Sequence, residues 1–305
     1  DNYMTEAITI NFTTMTRPVV AKKMYDAVVD NVDDLLAAIN AAQSRSDKNV
    51  RYRIFVKNGE YTIPLKGTMK SGADNPDGSG KFEVEECITF VNTQNLSLIG
   101  ESRDGVIITN GIDKNETFIY VNSNGKYVKT SKYDGIGNSD VFQIAGSDYY
   151  FQDLTIETGM DDATGRDLAI HDKATRTIYK NTALRGYQDT WTSNNDQGLY
   201  YFEGGYLRGR TDYMCGKGDA FFNGVELRQI SGGYASVPSK PKNLGWVYKD
   251  CVINGEAAVV DSYYGTEVTA AQADGNYTLG RPWGSGTPIS LFIDTKMNVV
   301  PSAIG

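Results

Sequence analysis

Apolar residues in this chain recur in short alternating runs, and one segment alone breaks that rhythm. Over residues 31–42, Leu35, Leu36, Ile39 and Ala42 fall on one helical face, with Asn31 placed to cap the first turn and Asp33 and Asp34 inside it. A helix is predicted there. Elsewhere, runs such as Tyr52-Arg53-Ile54-Phe55-Val56 and Leu96-Ser97-Leu98-Ile99-Gly100 read as strands. Segments rich in Gly, Asn, Asp and Ser separate them, and residues 74–80 are one such surface loop.

From residue 151 a second pattern overlies the alternation, an aromatic residue followed five places later by an aliphatic one. It occurs as Phe151 with Ile156, Tyr179 with Leu184, Phe202 with Leu207, Phe222 with Leu227, and Tyr248 with Ile253. The aromatics are 28, 23, 20 and 26 residues apart. Irregular periods in this range suit a solenoid whose loops vary from coil to coil while the inward residues stack. A two-sheet sandwich also has short strands and frequent turns but does not require turns that recur at this length. The expected fold is all-β, a right-handed parallel β-helix with a short N-terminal capping helix, forming one domain over residues 1–305.

Composition narrows the chemistry. The 305 residues are 40% hydrophobic, enough for a substantial core, and no run approaches the ~18 apolar residues that cross a bilayer. A net charge of −8 argues against nucleic acid or an anionic membrane as partner. Three cysteines, Cys87, Cys215 and Cys251, allow one disulfide at most and lack metal-ligand spacing. With His171 the only histidine, a zinc site built on several histidines is excluded, and any Ser-His-Asp triad would have to use that residue. Its bland reading is a solvent-facing loop residue.

The carboxylates remain. Asp189, in Gln188-Asp189-Thr190, and Asp212 are 23 residues apart, about one coil of a β-helix. Neighbouring strands lie about 4.8 Å apart, so the two become vertical neighbours, in a short outer ladder with Arg166. Close like charges push two pKa values apart, leaving one carboxyl as an acid and the other as an anionic nucleophile or base. That is hydrolase chemistry. Because Gln188 and Asp189 are adjacent, the ladder also requires a bend between them.

These residues resemble the pectin methylesterases, a family with a right-handed parallel β-helix. Gly59-Glu60-Tyr61, Gly186-Tyr187-Gln188-Asp189-Thr190, Thr211-Asp212-Tyr213-Met214-Cys215-Gly216 and Leu279-Gly280-Arg281-Pro282-Trp283 are similar to four of its motifs, in order. The resemblance implies that Asp212 attacks the carbonyl carbon of a galacturonate methyl ester, and that Asp189 protonates the departing methanol and then activates water. It further implies that Gln188 donates to the oxyanion, that Arg281 holds Asp212, and that Trp283 faces a sugar ring. No metal or organic cofactor is implied. The implied partner is pectin (homogalacturonan), and the implied protein is a monomer, secreted or periplasmic.

Departures from the family pattern bear on activity. Arg166 stands where the family has a second oxyanion-hole glutamine; it could stabilise an oxyanion, bind a galacturonate carboxylate, or pair with an aspartate. Cys215 replaces an aromatic residue of the fourth motif, and the chain ends where relatives continue into a Trp-containing segment, the pattern of C-terminal truncation. Two alternatives therefore stand beside the esterase: a non-catalytic pectin-binding β-helix, and an esterase of the same fold acting on a different acyl ester. Trp191 is open to packing or function, Cys215 reads as a small buried hydrophobe, and Tyr200 and Tyr201 as strand residues.

Overall fold

The computed structural model describes residues 23–64, 66–70, 81–86, 89–110, 117–121, 127–131, 140–159, 168–261, 266–284 and 286–303. Arg166, Cys87 and the expected loop at 74–80 lie outside them.

The chain winds as a right-handed parallel β-helix with three sheets. One coil runs from Tyr149–Gln152 in sheet one to Thr155–Glu157 in sheet two and Ile170–Asp172 in sheet three, then returns to sheet one at Arg176–Lys180. Repetition of this path builds sheets of nine, eight and seven strands. The pairing within them is parallel throughout, as solenoid winding demands.

The aromatic–aliphatic spacing of five has a structural cause. Phe151, Tyr179, Phe202, Phe222 and Tyr248 face inward from sheet one and stack on one another, with ring centroids 5.4, 4.4, 4.5 and 4.5 Å apart. Ile156, Leu184, Leu207, Leu227 and Ile253 form the matching register column in sheet two. Two residues after each aromatic, the chain turns the corner on a left-handed residue: Asp153, Asn181, Gly204, Gly224 and Asp250 have φ between 46° and 62°. Only Gly, Asn and Asp take this conformation at low cost, so corner chemistry sets the interval. Stacking carries on through Phe292, 4.5 Å from Tyr248.

The single α-helix among the described residues, Val32–Ser44, is capped by Asn31, whose side chain accepts from Asp34 N at 2.9 Å. It buries Leu35, Ala38, Ile39 and Ala42 against the first coil. This closes the N-terminal end of the core.

Among the described residues, three antiparallel hairpins interrupt the winding: Lys66–Lys70 with Lys81–Glu86, Thr117–Val121 with Tyr127–Ser131, and Ala258–Asp261 with Thr266–Val268. Each lies between a strand of sheet two and the next strand of sheet three. In three consecutive coils between them that corner is short, linking Ala183–Arg185 to Trp191–Ser193, Tyr206–Gly209 to Met214–Lys217, and Glu226–Gln229 to Gly233–Lys240. Long excursions therefore bracket a stretch of tight corners along the helix axis.

Candidate active site

Asp189 and Asp212 occupy the first two of those tight corners. Trp191 pairs with Met214 and Gln188 bridges Thr211, which puts Asp189 in register with Asp212 on the next coil. Asp189 N donates to Thr211 O at 3.0 Å, fixing the two corners to each other. Both aspartates are left-handed, at φ 60° and 51°, and this is the bend that adjacent Gln188 and Asp189 require. The column is thus Asp189 over Asp212, while Gln188 sits over Thr211.

The residues around each corner lock it. Thr190 is fully buried and donates to Arg208 O at 2.9 Å; Thr192 donates to Asp189 O at 3.1 Å. Gly209 is required here, because a Cβ on it would fall 2.2 Å from Tyr213 Cβ and 2.9 Å from Thr190 Oγ1. Below them, Gln229 is completely buried, and its amide lies within hydrogen-bond reach of the carbonyls of Arg210 and Gly232 at 3.2 and 3.1 Å. Both aspartates are only 6% exposed.

Arg281 closes the site from the strand Tyr277–Gly280 side. Its Nε donates to Asp212 Oδ1 at 3.2 Å and its Nη2 to Oδ2, a two-point chelation that fixes the plane of the carboxylate. The hydrogen bond to Asp212 pushes the guanidinium above its ordinary range. Trp283 follows on the same segment, tied by its backbone N to Pro238 O at 3.0 Å, and the residue is 45% exposed. Arg281 also lines a cavity of about 310 Å³ with Pro238, Leu279, Pro282, Pro288 and Phe292. Neither aspartate is among the residues that line it.

Sequence reasoning missed Tyr234. Counting back from the Met214–Ser236 pair, it lies in register with Asp212 on the following coil, and Arg281 Cζ stands 4.6 Å from its ring centroid. No motif marks it; register alone brings it to the site.

One expectation is corrected and one is resolved. His171 is not a solvent-facing loop residue: it lies in the strand Ile170–Asp172, is 9% exposed, and pairs through Nδ1 with the fully buried Asp140 at 3.2 Å. Strand alternation turns Ile170 and Asp172 into the core and His171 outward, in one column with Gln143, Thr192 and Cys215. Gln188 bridges Thr211, which leaves Asp189 and Asp212 as the vertical neighbours the spacing predicts. Trp191 is core, fully buried and edge-on to Tyr200 and Phe202 at 5.2 and 5.1 Å. Cys215 and Cys251 are both buried.

No protein-family model matches the chain. A pectinesterase of Aspergillus aculeatus is 28% identical over 181 residues, 57% of this chain and 51% of that one. Pectinesterase 31 of Arabidopsis thaliana is 26% identical over 144 residues, 46% of this chain and 40% of its own length. The chain thus spans about half or less of the length of these curated relatives. Among solved structures, a pectin methylesterase from Erwinia chrysanthemi matches with a TM-score of 0.61 at 22% identity, over 92% of this chain and 81% of that one. A pectin methylesterase in complex with a hexasaccharide matches over the same shares with a TM-score of 0.62 at 22% identity. In sequence and in fold, the relatives of this chain are pectin methylesterases.

Proposed function

We propose that the chain is a carboxylic ester hydrolase that removes methyl groups from galacturonate esters of homogalacturonan, releasing methanol. The observation that carries this reading is Asp189 in register over Asp212, with Arg281 chelating Asp212 from the side. Asp212 attacks the ester carbonyl carbon, and the carbonyl oxygen becomes an oxyanion that the Gln188 amide stabilises. As the tetrahedral intermediate collapses, the C–O bond to methoxide breaks and Asp189 supplies its proton, giving methanol and an acyl-enzyme. Asp189, now a carboxylate, takes a proton from water; hydroxide attack on the acyl carbon then frees Asp212 and the galacturonate carboxylate. Arg281 keeps the Asp212 carboxylate in the plane of attack, and the exposed Trp283 offers an apolar face to a sugar ring.

A substrate of this kind accords with the relatives, one of which is described with a hexasaccharide. We place the protein outside the cytoplasm, acting as a monomeric single β-helical unit. Methanol release from highly methylated pectin is expected for the wild-type protein and is expected to collapse in Asp212→Asn. Equal release by that variant would discard the assignment. Arg166, in place of a family glutamine, motivates a second reading as a pectin binder without turnover. Binding of pectin oligosaccharides with no methanol release, unchanged in Asp189→Asn, would favour that reading. Release of acyl groups from other esters, with none from pectin, would instead move the same chemistry to another substrate.

A further inference from the structure

We propose that Tyr234 is a positioning residue for the acid pair, clamping the Arg281 guanidinium in the plane that chelates Asp212. The inference rests on the esterase reading for its kinetic consequence, and on geometry for the clamp itself. By register, Asp189, Asp212 and Tyr234 align on three consecutive coils, the aspartates at corners and Tyr234 at the start of the strand Gly233–Lys240, and Tyr234 pairs onward with Thr278, three residues before Arg281. The Arg281 backbone is held by its N donating to Ser236 O at 3.1 Å, two residues beyond Tyr234.

The guanidinium needs a second restraint. Its side chain is 42% exposed, whereas the Asp212 side chain is 8% exposed, so the anion is fixed by its corner while the cation sits on a long, solvated stem. An exposed ion pair of this kind gains little and loses side-chain freedom, which leaves its geometry loose. An aromatic face against the planar guanidinium supplies the missing restraint, because stacking fixes the plane without consuming the N–H groups that reach Asp212. The Arg281 Cζ to Tyr234 centroid distance of 4.6 Å is within the range of such contacts. Tyr234 is half-buried, and among the described residues its hydroxyl makes no hydrogen bond, so the ring is the part in contact.

The test compares Tyr234→Phe, which keeps the face, with Tyr234→Leu and Tyr234→Met, which remove it. With methylated pectin, Tyr234→Phe is expected to keep kcat within about 2-fold, and the two aliphatic variants to lose about 2- to 5-fold or more in kcat at unchanged KM, the factor an exposed cation–π contact is worth. In ¹⁵N-labelled protein the Arg281 Nε–H resonance should hold its ring-current shift in Tyr234→Phe and lose it in both aliphatic variants. An unshifted Nε–H signal in folded Tyr234→Met, or wild-type kcat in that variant, overturns the proposal. So does a kcat loss in Tyr234→Phe equal to that in Tyr234→Leu, which would assign the effect to the hydroxyl. If the wild-type protein releases no methanol, the esterase reading fails while the Nε–H signal still decides the clamp.

Discussion

Aspartate at positive φ is common in this chain, so backbone conformation does not by itself mark Asp189 and Asp212. Asp153 and Asp250 have the same conformation at 51° and 53°, yet they turn structural corners and their side chains meet Asn181 and Lys249 near the surface. Burial together with a two-point cation separates Asp212 from these. Arg281→Lys keeps the charge but cannot donate in a fork to both oxygens. It is expected to lower kcat by about 10- to 100-fold, the range for losing a charge-assisted hydrogen bond, and steady-state methanol assays measure this. Asp172 is a different case, a fully buried carboxyl beneath sheet three that accepts from Tyr179 OH at 2.7 Å and Ala174 N at 2.9 Å. Desolvation pushes it up to about 7 from its ordinary 3.8. A raised carboxyl means that the folded state holds the proton more tightly. Its stabilising contribution is therefore complete below about pH 4 and is lost as the pH rises to about 7. Asp172→Asn, neutral at every pH, should flatten the fall of Tm across that window; an identical Tm profile in wild type and variant would contradict the assignment.

The left-handed corners between sheets one and two discriminate sharply between neighbouring positions. Gly204 and Gly205 both have positive φ, 61° and 70°, in a single corner. A Cβ on Gly204 meets nothing within 4 Å, whereas on Gly205 it would fall 2.1 Å from Thr182 O. Gly204→Ala should cost about 1 kcal/mol of conformational strain. Gly205→Ala adds displacement of the coil beneath and should cost about 3 kcal/mol or more. Urea unfolding of the two variants checks the ordering. The aromatic column depends on packing in the same way: Phe222 is fully buried, with rings at 4.5 Å on both sides, so Phe222→Ala should lose about 3–5 kcal/mol in the same measurement.

Across the molecule, excess negative charge and local cations oppose each other. The net charge of −8 repels a polyanion, and the arginines of sheet two do not offset it, since Arg185, Arg208 and Arg228 pair with Glu157, Glu256 and Glu226. De-esterified pectin should therefore bind weakly, and raising the ionic strength should leave that binding unchanged or strengthen it, as read by calorimetry at low and high salt. Tight binding that salt abolishes would point to an uncompensated basic cleft. Such weak retention would suit the proposed esterase, whose product would gain a charge at every turnover. The hairpins on either side of the short corners give the molecule its remaining asymmetry, since the described excursions leave the solenoid where sheet two meets sheet three.

Coil periodicity, the capped helix and the aromatic–aliphatic spacing were all legible in the chain, because each is set by local rules: helical spacing, corner residues that tolerate positive φ, and buried side chains that alternate along each strand. The 23-residue interval between Asp189 and Asp212 likewise converts directly into vertical adjacency once winding is inferred. Register was not legible at single-residue precision, since coil lengths vary and a shift of one residue moves a side chain from one face to the other. Hence His171 was set in solvent when alternation and Asp140 hold it within the outer face of sheet three. Tyr234 became visible only after folding. Its meeting with Arg281 joins residues 47 positions apart through a single coil-to-coil pairing, and no local pattern encodes such a contact.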